Sequence, residues 1–157
     1  MAAAVPSVEL REEAFDGEGT QRLLASFIAE ISELYPGWLP SRGPSAVAAD
    51  FTPPAGRFVV AYQAGRPVAC AGLKRFDART GEIKRVYVAP EARRRGVARQ
   101  LLDYLEGVAR AAGYEVARLD TGAHQPNAVR LFTAAGYREI ADYNANPFAR
   151  HWFEKRL

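Results

Sequence analysis

Residues 89–102 read APEARRRGVARQLL, and the fold turns on what three adjacent arginines, Arg93, Arg94 and Arg95, are doing there. Upstream, residues 82–88 (EIKRVYV) have the β-branched and apolar character of a strand, which Pro90 stops. Downstream, Val97, Leu101, Leu105, Val108 and Ala112 recur at helical spacing, so a helix is expected to open near Gly96. A helix N-terminus carries partial positive charge on its unpaired N–H groups, and a cation placed there costs about 0.3–1 kcal/mol. Three guanidinium groups at that point also repel one another. The arrangement makes physical sense as a cradle in which loop amides, helix dipole and arginine side chains meet a phosphate. A solvated basic turn that happens to precede a helix is the plainer alternative. Gly96 lets a ligand approach the backbone where a Cβ would clash, and Ala98 keeps the next inward position small. Neither G-x-x-x-x-G-K-[ST] nor G-x-G-x-x-G occurs, so this is not a nucleotide loop of either kind.

Outside this stretch the composition is ordinary. With 48% hydrophobic and 25% charged residues over 157 positions, the chain reads as one soluble globular domain spanning 1–157, its residues 1–6 flexible. No run approaches the roughly 18–20 apolar residues a membrane helix needs, so no membrane contact is expected. The start, MAAAVPSVEL, lacks both a basic segment and a long apolar one, so no secretory signal is expected. A single cysteine, Cys70, and two histidines, His124 and His151, point to neither an internal disulfide nor a metal site. A cytoplasmic location follows as the expectation. The net charge of +3 is spread singly except for the arginine triplet, which argues against nucleic acid as a partner.

Strand and helix signals alternate along the chain. SVELREEAF (7–15) reads as a first strand; TQRLLASFIAEISELY (20–35) reads as an amphipathic helix capped by Thr20 and ended by Pro36-Gly37. A Pro- and Gly-rich loop follows, with a short helix at 45–50, and its Trp38 and Phe51 make it the expected acceptor side. Residues 57–76 form a hairpin around QAGR, and YEVARLDTG (114–122) returns as a strand. QPNAVRLFTAAG (125–136) is a helix with Pro126 near its first position, and YREI and RHWFEKRL close the chain as strands. AAGY occurs at 111–114 and 134–137, where each glycine supplies the left-handed residue that ends a helix. The sum is an α/β (α+β) domain, a mixed sheet flanked by helices.

The pattern R93-x-x-G96-x-A98, between a strand and a helix, resembles the R/Q-x-x-G-x-G/A motif of the GNAT superfamily of acyl-CoA N-acyltransferases. NAVRLFTAAGY (127–137) is similar to that family's second motif. The resemblance implies a single-domain, mostly antiparallel sheet in which two strands splay apart at the cofactor site. It implies acetyl-CoA as co-substrate and no metal. The pyrophosphate of coenzyme A would lie on the amides of Arg94, Arg95, Gly96, Val97, Ala98 and Arg99, with Arg93 and its neighbours assisting. The pantetheine arm would pair with Val86, Tyr87 and Val88 as an added strand does, and Asn127 would hydrogen-bond it.

Acyl transfer from a thioester to an amine needs a neutral amine, a polarised carbonyl and a way to protonate the leaving thiolate. The resemblance puts Glu82 at the base position of the family's histone-modifying branch; pairing with Lys84 or Arg85 is the alternative use of that carboxylate. The family's usual proton donor is a tyrosine at the position Phe132 occupies, and Phe132 has no proton to give. Tyr143 and Tyr137 are the substitutes at hand, beside packing roles for both. Cys70 lies in an apolar strand and reads as structural, and His124 lacks triad spacing. The acceptor expected is a primary amine on a small molecule or peptide, with Glu30, Glu33 and Asp50 as acids that would attract it. Homodimers are common in the family, so a homodimer is an expectation too. A non-catalytic acyl-CoA sensor or scaffold is the alternative function.

Overall fold

A computed structural model describes residues 7–42 and 46–157. The expectation for residues 1–6, and the Ser45 start of the short helix, lie outside those residues. Seven strands are described: β1 (Glu9–Glu12), β2 (Arg57–Gln63), β3 (Arg66–Arg75), β4 (Thr80–Val88), β5 (Val116–Thr121), β6 (Arg138–Ile140) and β7 (His151–Arg156). They form one sheet in the order β1-β2-β3-β4-β5-β7-β6, antiparallel throughout except for the parallel β4/β5 pair. Helices α1 (Glu18–Leu34), α2 (Val97–Ala111) and α3 (Pro126–Ala134) cover its faces. The expected mixed, mostly antiparallel sheet between helices is what the chain adopts.

The run FVVA in β2 is apolar on both sides because both sheet faces are covered. Val59 and Ala61 join the core beneath α2, against Leu101, Leu102 and Leu105, while Phe58 and Val60 join the core beneath α1, against Leu23 and Leu24. Each of the three α2 leucines is fully buried, worth about 1.5–3 kcal/mol apiece. The β2–β3 turn places both Ala64 and Gly65 at positive φ, 49° and 77°, as a two-residue hairpin turn with the strand twist requires.

Three local expectations need correcting. Helix α1 opens at Glu18 behind Gly17, not at Thr20; Thr20 is buried inside the first turn, and its hydroxyl donates to the Ala14 carbonyl. The buried stripe of α2 runs through Ala109 instead of Ala112, and it includes Glu106. That acid is tolerated because the Lys155 ammonium donates to it at 2.6 Å and the Tyr137 hydroxyl at 3.2 Å. The short helix is a 3-10 turn over Ala48–Phe51, which tucks Phe51 into the core beneath α1.

Two features of β4 place the site. Its pairing with β5 runs through Thr80–Val116, Gly81–Ala117 and Glu82–Arg118 and then ends, so the strands part beyond Glu82. Against β3, Arg85 and Val86 together oppose Ala71, a bulge in which Arg85 takes φ 58°. Bulges of this kind re-aim side chains, and a non-glycine residue at positive φ is a rarity commonly found at functional sites.

Candidate functional site

A cleft of about 700 Å³ occupies the fork between β4 and β5, within the 300–1,000 Å³ range of small-molecule sites. One side is the free stretch of β4, Ile83 to Val88; another is β5 from Leu119 to Thr121; α1, the residue 93–99 loop and the start of α3 complete it.

At the mouth of the fork, the residue 93–99 turn has a backbone geometry suited to an anion. Arg94 has φ 63° and Gly96 φ 75°, and alternation of left-handed with ordinary residues turns successive N–H groups toward one point. Helix α2 starts directly after Gly96 without any side-chain cap, leaving its first amides unsatisfied. A Cβ on Gly96 would meet no atom within 4 Å. The glycine is therefore required for its backbone angle, and its openness leaves room for a ligand.

The arginine side chains do not act as one group. Arg93 is committed: it makes a two-pronged ion pair with Glu30 of α1, at 2.6 and 2.9 Å, and donates to the Val88 carbonyl at 2.8 Å. Arg99 is held by Asp103 at 3.1 Å and by the Ala134 carbonyl. Arg95 does not line the cleft, and Arg94 does. The expectation of several guanidinium groups free to assist reduces to Arg94, because a committed side chain must break a contact to help. Asn127 and Phe132 both reach the cleft, Asn127 in the first turn of α3 behind Pro126 and Phe132 buried against Tyr137 and Phe153.

Where the fork closes, the sequence reading and the structure part company. Glu82, 3% exposed, does not line the cleft. Its carboxylate accepts from the Tyr143 hydroxyl at 2.6 Å and from the Asn144 amide at 3.3 Å, and the Lys84 ammonium lies 3.6 Å away. So Glu82 and Tyr143, selected separately as base and acid, are bonded to each other behind the cleft wall. Burial, and the Glu82 carboxylate beside it, push the Tyr143 hydroxyl far above its ordinary value, which makes it a poor proton donor. Tyr137 is likewise raised by burial and by Glu106, away from the cleft.

Among the described residues two carboxylates line the cleft: Glu30, which Arg93 claims, and Asp120, at the open end of β5. Asn144 donates to Asp120 at 2.6 Å and Asn146 at 3.4 Å, and the Asn144 carbonyl is fixed in turn by the Trp152 indole at 2.9 Å. The alternation of β5, with Ala117, Leu119 and Thr121 buried, is the signal that could have found Asp120 on the opposite side. Of the acids expected to attract an amine, Glu30 is taken by Arg93, Asp50 lies 3.5 Å from Lys74, and Glu33 does not line the cleft. The acceptor-side expectation for the loop after α1 keeps Trp38, which lines the cleft with its ring edge-on to Phe27. The Tyr35 and His124 rings lie tilted to one another, 5.1 Å apart, on the same wall. Cys70 is wholly buried on β3, its thiol against the Arg85 carbonyl.

The comparisons with known proteins agree with this fold. The sequence profile of the Acetyltransferase (GNAT) family matches residues 24–137, most of the chain. The chain belongs to that family. It is 33% identical over 97 residues to the IAA acetyltransferase of Azospirillum brasilense, an alignment covering 59% of this chain and 63% of that one. Among solved structures, a candidate acyl-CoA N-acyltransferase of Klebsiella pneumoniae superposes with a TM-score of 0.76 at 27% identity, covering 96% and 97% of the two chains. A GNAT family acetyltransferase of Elizabethkingia anophelis with acetyl-CoA bound shares the fold, with a TM-score of 0.66 at 17% identity over 96% and 98% of the chains.

Proposed function

We propose that this chain is a single-domain N-acetyltransferase that moves an acetyl group from acetyl-CoA to a primary amine of a small molecule or peptide. The carrying observation is the fork: a strand edge left open from Ile83 to Val88 that runs straight to an uncapped helix N-terminus. A phosphorylated thioester on a long arm fits that shape. Its pyrophosphate sits on the amides from Arg94 to Arg99 with the Arg94 guanidinium beside it, and its arm pairs with Val86, Tyr87 and Val88. Asn127 hydrogen-bonds the arm from α3, and Phe132 packs against it. The bound acetyl-CoA found in the Elizabethkingia anophelis relative supports the same choice of carrier.

The thioester carbonyl then lies at the β4 bulge, where a backbone N–H of the Val86–Val88 segment stabilises the developing oxyanion. The amine nitrogen attacks the carbonyl carbon directly; the C–N bond forms, the C–S bond breaks, and sulfur leaves with the electron pair as thiolate. Asp120 takes the proton from the attacking amine, because it is the carboxylate that reaches the cleft at the point where the strands part. Glu82 stands behind it, joined through Asn144, which donates to both carboxylates. Calorimetry with acetyl-CoA, followed by thiol release across a panel of amines, tests the reading. Micromolar binding and amine-dependent release are expected. Binding without release from any amine would leave a sensor in place of an enzyme, and no binding would end the proposal.

A further inference from the structure

Two cations at the closed end of the fork, Lys84 and Arg85, are not used in the proposed seating of coenzyme A. Arg85 lines the cleft with its guanidinium 5.6 Å above the Phe27 ring, and it donates no hydrogen bond to any described residue. Burial pulls it below its ordinary value, with Asp120 the opposing charge nearby. Lys84 lines the same wall and is nearly enclosed, its ammonium 3.6 Å from the Glu82 carboxylate. Half-buried and without a protein acceptor, this guanidinium keeps its nitrogens open to the cleft, and sites that present one in this way take an anion, two-pronged carboxylates above all. The β4 bulge, with Arg85 at φ 58°, is the device that presents this side chain over Phe27. Phe27, Tyr35, Trp38 and Phe148 bring aromatic surface to the same cleft.

Resting on the acetyl-transfer reading above, we infer that the acceptor is an amine that also carries a carboxylate, an amino acid with an apolar body. Its acid group docks on Arg85, and its amine turns to Asp120. That orientation delivers the nitrogen to the thioester carbon while the amine proton passes to the aspartate and the sulfur departs as coenzyme A thiolate.

The test separates the two readings. Acetyl-CoA calorimetry comes first, and its failure belongs to the transfer reading alone. Thiol release is then measured with L-phenylalanine, L-phenylalaninamide and phenethylamine, which share a body and an amine and differ in the acid. The inference expects kcat/KM for phenylalanine at least about tenfold above either analogue. Arg85→Gln should erase that preference by raising KM for phenylalanine about 10- to 100-fold, without moving acetyl-CoA affinity. Equal or better turnover of the amide, or a preference that survives Arg85→Gln, overturns it. If none of the three is acetylated, N-acetyl-L-phenylalanine and its amide are titrated into the coenzyme A-loaded protein. Acid-selective binding lost in Arg85→Gln sustains the inference, and absence of acid-selective binding defeats it.

Discussion

At the mouth of the fork, Arg94 and Arg95 stand exposed, and on the proposed reading the binding work falls to backbone amides held by two left-handed residues. At its closed end, Lys84 is buried and Arg85 half-buried, and both side chains line the cleft. Exposed charge is screened over about 8–10 Å and contributes little per residue. Enclosed charge is costly to hold and strong when matched. On the proposed reading the mouth takes a generic phosphate and the closed end discriminates.

Substitutions at the two ends should differ accordingly. The largest effect is expected at the closed end: Asp120→Asn should lower kcat by about 10²–10³-fold, since the variant keeps shape and loses the proton acceptor. Acetyl-CoA affinity should stay within about twofold of the parent by calorimetry. Glu82→Gln is the sharpening control; a greater loss of kcat there than in Asp120→Asn would return the base role to Glu82. Next, Gly96→Leu should weaken acetyl-CoA binding about tenfold or more while lowering thermal stability by about 1–2 kcal/mol, the cost of a left-handed side-chain residue. A variant with parental affinity would show that the seat does not depend on that backbone angle. The smallest effects are expected from the exposed arginines. Arg94→Ala should raise the acetyl-CoA Kd about two- to fivefold at low salt, fading as salt rises, and Arg95→Ala should leave it unchanged. Equal losses from both would mean that the triplet acts as a unit after all.

Much of the fold was legible because its determinants are local. The α2 stripe, the QAGR hairpin, Pro126 and the two helix-ending glycines, Gly113 and Gly136 at φ 90° and 92°, each declare themselves within a few residues. The loop before α2 was legible for the same reason. What stayed hidden depends on partners far away in sequence. Arg93 is claimed by Glu30, and Glu82 by Tyr143 and Asn144, each some sixty positions distant. No window of sequence contains both members of such a pair, so three arginines look equivalent and a buried glutamate looks available. Asp120 was missed for a related reason: a lone acid on a half-buried strand becomes notable only once its neighbour strand has turned away.

Cys70, sealed beneath the Arg85 carbonyl with its thiol pushed by burial to about 12, has a practical side. At pH 8 the sulfhydryl is far below its ionisation point, so it is protonated and shielded from disulfide dyes. Colour developed in a coenzyme A assay therefore reports turnover, and the enzyme contributes no background while it stays folded. One equivalent of colour per chain on adding guanidinium would turn the same dye into a gauge of unfolding.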